Sequence, residues 1–127
     1  MGFFISPIYL SYMKIIITES QKNNIIEKIL DSEGVTYKMN YGGRIYAGEG
    51  SMYDSVDLWF KLPNGDDTLQ TFYFLTRRNK ILKLESYNDL TKLIDVFRYI
   101  PSEIVKDYFK EKCKTYLENT LLQMYGY

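Results

Sequence analysis

The order of hydrophobic periodicities predicts an α+β fold: a single domain with an N-terminal helix, an antiparallel β-meander of about four or five strands, and two C-terminal helices packed on the sheet. Three observations carry this expectation. Apolar residues recur at helical spacing around residues 25–30 and again along 104–124. Two-residue alternation fills much of the stretch between 35 and 85. The helical and extended segments are segregated rather than alternating, which argues against a parallel βαβ sheet. A chain of 127 residues is long enough for one core and short for two. Its apolar content of 46% and charged content of 25% are ordinary for a globular domain.

Residues 14–127 constitute the domain in this reading, and residues 1–13 an N-terminal extension or arm. Met13 is a second possible start, so residues 1–12 are either upstream of the natural beginning or a packing arm. The stretch from Gly2 to Ile17 is apolar but interrupted by Ser6, Pro7, Ser11 and Lys14. A spanning helix needs about 20 predominantly apolar residues. A signal peptide needs a basic start and a small-residue cleavage site, which this stretch lacks. No membrane partner is expected, and the location expected is the cytoplasm of a host cell or a virion.

The first helix is expected to begin at Thr18, whose side chain can cap the backbone with Gln21 completing a capping box. Ile25, Ile26, Ile29 and Leu30 form its apolar stripe, and Gly34 is a natural stop. Val35 to Tyr41 alternates as a strand, with Gly42-Gly43 expected as a hairpin turn, Arg44 to Ala47 as a short returning strand, and Gly48 to Ser55 as a loop. Val56 to Leu62 and Leu69 to Leu75 flank Pro63-Asn64-Gly65, a three-residue loop in which Pro suits the first turn position and Gly a left-handed one. That register sets Val56, Leu58, Phe60, Phe72 and Phe74 on one face and Trp59, Leu69, Tyr73 and Leu75 on the other. Lys80 to Glu85 reads as a further strand. A helix from Tyr87 or Asn88 would turn Leu90, Leu93, Ile94 and Phe97 inward. Pro101 marks the start of the last helix. The inward side of that helix carries Ile104, Val105, Tyr108, Phe109, Cys113, Tyr116, Leu117, Thr120, Leu121 and Met124. Residues 125–127 are expected to fray.

Composition removes whole classes of chemistry. The chain has no histidine and one cysteine, which excludes Ser-His-Asp and Cys-His catalysis, histidine-ligated zinc and an internal disulfide framework. Sixteen basic residues balance sixteen acidic ones, so no global field draws the chain to nucleic acid. No cofactor, metal site or catalytic residue is expected. Gly42-Gly43-Arg44 and Gly48-Glu49-Gly50 lie between strands instead of leading into a helix, so they read as turns and not as phosphate loops. Glu49, Asp54 and Asp57, with Asp66-Asp67, are the carboxylates from which a small carboxylate-dependent enzyme would have to be built. Cys113 lies on an apolar stripe and reads as a buried thiol.

The run Lys14-Ile15-Ile16-Ile17-Thr18-Glu19-Ser20-Gln21 resembles the opening of many small uncharacterised proteins encoded by tailed bacteriophages. The resemblance covers this short run and implies no activity. Thirteen tyrosines and a single alanine, Ala47, fit an AT-rich genome of the kind many phages carry. The function expected is therefore a non-enzymatic protein-interaction module of phage origin, acting as an accessory or host-directed factor or as a small virion component. Its partner is expected to be another protein or a second copy, bound through Trp59, Leu69, Tyr73 and Leu75. The alternative is a single-stranded nucleic-acid binder, less favoured, that uses the basic strand end at Arg77, Arg78, Lys80 and Lys83 together with sheet aromatics.

Overall fold

The structure is a computed structural model that describes residues 19–87 and 96–126. Its elements in chain order are α1 (Glu19–Glu33), β1 (Thr36–Gly48), β2 (Ser51–Lys61), β3 (Asp67–Arg77), β4 (Lys80–Tyr87) and α2 (Ser102–Tyr125). The four strands form one antiparallel sheet in sequential order β1-β2-β3-β4. This is the α+β meander expected, with one helix before the sheet and one at the C-terminal end of the described residues. The expected helix around residues 88–95, the Thr18 cap and the extension or arm at residues 1–13 lie outside the described residues. Of the segment after β4, the described part is a turn at residues 96–99 that places Phe97 in the core.

Both described helices belong to one core. Ile26 and Leu30 of α1 and Val105, Tyr108, Phe109, Cys113, Leu117 and Leu121 of α2 join Val56, Leu58, Phe60, Phe72 and Phe74 of the sheet. The ring of Phe109 sits 5.1 Å from Phe60 and 5.4 Å from Tyr37, edge to face in both cases, the geometry aromatic quadrupoles favour. At its other end α2 sets Tyr125 over Arg44. The helix therefore traverses the inner face from the Pro63 hairpin to the opposite end of the sheet. It is closed by Gly126 in the left-handed conformation, whose N–H bonds to the Leu122 carbonyl. Tyr125 thus ends a helix and covers an ion pair, where sequence suggested fraying. Met124, expected inward, is 52% exposed, because the inward row runs from Leu117 through Leu121 to Tyr125, four residues apart, and leaves Met124 to one side.

The β2–β3 hairpin has the expected register. Gly65 (φ 89°) follows a turn closed by its own N–H to the Leu62 carbonyl, and Leu62 N–H bonds to the Asp66 carbonyl. Val56 lies opposite Phe72, and Trp59 opposite Leu69.

The first hairpin differs from expectation. Gly42-Gly43 is not a turn: β1 runs unbroken from Thr36 to Gly48 and bulges between Tyr41 and Gly43. The chain reverses at Glu49 and Gly50, both at positive φ (55° and 79°), and β2 starts at Ser51, so the expected loop over 48–55 is strand instead. A β-carbon on Gly42 would run into Ser55 Oγ and lie 3.1 Å from Asp57 Oδ1. The absent side chain is therefore what lets β1 pass β2 closely at the bulge. The third reversal uses Arg78 and Asn79, at φ 53° and 64°. Asn tolerates this conformation readily, whereas Arg gives no such signal in sequence.

Candidate binding face of the sheet

Alternation along the strands gives the sheet two chemically different sides. On the inner side, Val56, Leu58, Phe60, Phe72 and Phe74 have no solvent exposure. On the outer side, the pairings Trp59–Leu69, Asp57–Thr71, Ser55–Tyr73, Tyr53–Leu75 and Ser51–Arg77 follow one another along β2 and β3. The outer pairings continue onto the neighbouring strands, with Lys38 of β1 opposite Trp59 and Lys83 of β4 opposite Leu75. Trp59 is 38% and Leu69 37% exposed, while Tyr53, Tyr73 and Leu75 are half-buried by their strand neighbours.

The two sets of site residues read from sequence therefore meet on one surface. Trp59, Leu69, Tyr73 and Leu75 share the outer side, and Arg77, Lys80 and Lys83 extend it, since Arg77 lies opposite Lys80. Arg78 is not on a strand; it occupies the exposed β3–β4 turn. Arg77 donates from Nε (3.2 Å) and Nη2 (3.0 Å) to Ser51 Oγ, which fixes its stem along the strand end. Lys83 Nζ stands 3.6 Å from Glu85. Ile45 of β1, opposite Tyr53 and 63% exposed, adds to the apolar surface; sequence missed this because Gly42-Gly43 was read as a turn and Arg44 to Ala47 as a strand returning along Val35 to Tyr41.

The carboxylates do not form a joint centre. Asp54 faces inward with no exposure, Asp57 faces outward and accepts from Thr71 Oγ1 (3.1 Å), and Glu49 and Asp66 belong to turns. Asp54 is the centre of a polar network that sequence did not anticipate. Its Oδ1 accepts from Tyr41 OH (2.6 Å) and Arg44 Nε (2.9 Å), and its Oδ2 from Arg44 Nη2 (3.1 Å) and Thr76 Oγ1 (2.6 Å). Arg44 Nη2 also reaches Asn79 Oδ1 (2.9 Å), and the Tyr125 ring lies 4.5 Å from the guanidinium. Burial pushes the Asp54 carboxyl up, but the hydrogen bonds from Arg44, Thr76 and Tyr41 outweigh it and hold the group below its ordinary value. Burial and then Asp54 raise the Tyr41 hydroxyl well above its usual range. With both oxygens doubly bonded, this carboxylate has no free lone pair for a substrate; it joins β1, β2, β3 and the β3–β4 turn. Arg44 reaches Asp54 because the bulge in β1 brings the two residues opposite each other.

Cys113 is buried, and burial pushes its thiol up to about 12. At neutral pH it is a packed apolar group with no nucleophilic character. Among the described residues, no three His, Cys, Asp or Glu side chains come together as a metal site, and no helix is long and apolar enough to cross a membrane.

Comparison of the chain with protein-family models, with curated proteins and with solved structures finds no match.

Proposed function

We propose that this protein is a non-enzymatic binding module that holds its partner against the outer face of the sheet. One observation carries the reading: α1 and α2 both pack on the inner face, while Trp59, Leu69, Tyr73 and Leu75 lie together on the other. A tryptophan exposed beside a leucine on a sheet is the kind of side chain that anchors interfaces. Another protein or a second copy suits its apolar side chains, Trp59 with Leu69 and Tyr53 with Leu75. A single strand of nucleic acid is the second reading, favoured by the basic residues Arg77, Lys80 and Lys83 on the same side. The Lys14–Gln21 resemblance and the AT-rich composition support a phage accessory or host-directed factor or a small virion component, working in the host cytoplasm or the particle.

The test is Trp59→Ala, followed by thermal melting and by light scattering with and without candidate partners. The reading expects association to weaken while the fold persists. A collapse of the melting transition would assign Trp59 to the protein's own packing and remove the proposal.

A further inference from the structure

We infer that the occupant of the outer sheet face is single-stranded nucleic acid, stacked on Tyr53, Tyr73 and Trp59 and held by the flanking cations. The inference rests on the binding-face reading above and names its partner. The aromatic residues belong to two adjacent strands. Tyr53 pairs with Leu75 and Tyr73 with Ser55, so the two tyrosines are diagonal neighbours across β2 and β3, and Trp59 lies further along the same side. Leu69 to Arg77 spans eight steps of β3, about 27 Å at 3.4 Å per residue. That length suits the short end of the roughly 4–16 nucleotides that sheet-based single-strand binders cover.

Charge decides between partner classes. The chain is neutral overall, yet its cations are not evenly placed. Arg77, Lys80 and Lys83 close one end of the face, and Lys38 of the edge strand β1 stands opposite Trp59. Protein interfaces carry less lysine than the rest of a protein surface, whereas a phosphate backbone needs cations along its path beside the rings on which its bases stack. This side also carries acids: Asp67 lies opposite Lys61, Glu85 lies against Lys83, and Asp57, which accepts the Thr71 hydroxyl, places a negative charge between Trp59 and the tyrosines, so the positive excess sits at the Arg77–Lys80 end. A duplex has no exposed base faces to offer the rings, so the geometry selects the single strand.

Trp59 is the chain's only tryptophan, which makes the protein its own probe. Its emission is titrated at low salt with oligothymidylate and oligouridylate of about twelve nucleotides and with a duplex of equal length. The expected result is quenching by at least one single strand and not by the duplex. Affinity should fall about two to three decades per decade of salt, as displacement of counterions from three or four phosphates requires. Lys80→Glu with Lys83→Glu, both exposed strand residues, should abolish binding, and Tyr73→Ala should weaken it at least tenfold. Absence of quenching and of any gel shift with either oligomer, while Trp59→Ala remains folded, would overturn the nucleic-acid inference. The binding-face reading would then stand on self-association or a protein ligand, seen by light scattering. Equal binding to the duplex without a change in Trp59 emission would also overturn it. Unfolding of Trp59→Ala would instead sink the binding-face reading itself.

Discussion

Phe60 and Trp59 are sequence neighbours on one strand, yet they belong to different environments. Phe60 has no exposure and lies between Tyr37 and Phe109, and Trp59 is 38% exposed beside Lys38 and Leu69. The contrast extends over the whole sheet. The inner face meets two helices and tolerates even a charge, because the Asp54 carboxylate is fully bonded. The outer face carries aromatic and basic side chains with no described helix over it. Hydrophobicity alone therefore does not identify the core in this chain; the face on which a residue falls does. An aromatic side chain on the inner face contributes to stability, and one on the outer face remains available for contact.

Paired truncations give the sharpest break of that comparison. Phe60→Ala should cost about 3–5 kcal/mol, the usual loss for a buried ring that leaves a cavity. Trp59→Ala, although it removes the larger side chain, should cost less than about 1 kcal/mol, as surface substitutions do. Denaturant melts of the two variants test the difference, and equal losses would erase the distinction between the faces.

The next largest effect is expected at the polar end of the inner face. Arg44→Met leaves the buried Asp54 without its cation and should destabilise by about 3 kcal/mol, near the lower end for a broken buried pair. The same site predicts a pH dependence. The Asp54 carboxyl titrates lower in the folded chain than in the unfolded one. Its contribution is therefore complete above the ordinary carboxylate pKa of about 3.9 and is lost as pH falls through the lower folded value. Stability of Asp54→Asn should fall less steeply with acid than that of the parent, a trend that melting followed from neutral to acidic pH would show.

A smaller effect belongs to Cys113. Cys113→Ser places a hydroxyl in the apolar seam and should cost about 1–3 kcal/mol. The native thiol, raised by burial, should react with maleimide only as fast as the fold opens. Rapid labelling would place it outside the core.

Particular residues show how much of this was legible beforehand. The Pro63-Asn64-Gly65 turn fixed the β2–β3 register, because only a glycine takes its last position easily, and the alternation on either side then sorted Phe60 from Trp59. Most of the apolar stripe of α2 was legible from its spacing, up to the last turn, where Tyr125 and not Met124 continues it. The first hairpin was not, since a glycine pair serves a turn and a bulge equally well in sequence. Reading Gly42-Gly43 as a turn hid ten residues of pairing, and with it the opposition of Arg44 to Asp54 and of Ile45 to Tyr53. The polar network depends on bulges at two places in β1, each of which shifts the register by a residue. The meeting of the aromatic and basic sets on one face followed from the β3–β4 pairing, whose turn at Arg78-Asn79 has only half of a turn signature.

The central claim is that Trp59 lies on a face of the sheet that the described helices leave exposed. Collisional quenching of its emission in the native, unliganded protein tests this directly. The account predicts ready quenching by acrylamide, iodide and caesium alike, because Trp59 is exposed and the lysines beside it, Lys38 and Lys61, are matched by Asp57 and Asp67. Emission shielded from all three quenchers until the protein is denatured would contradict it.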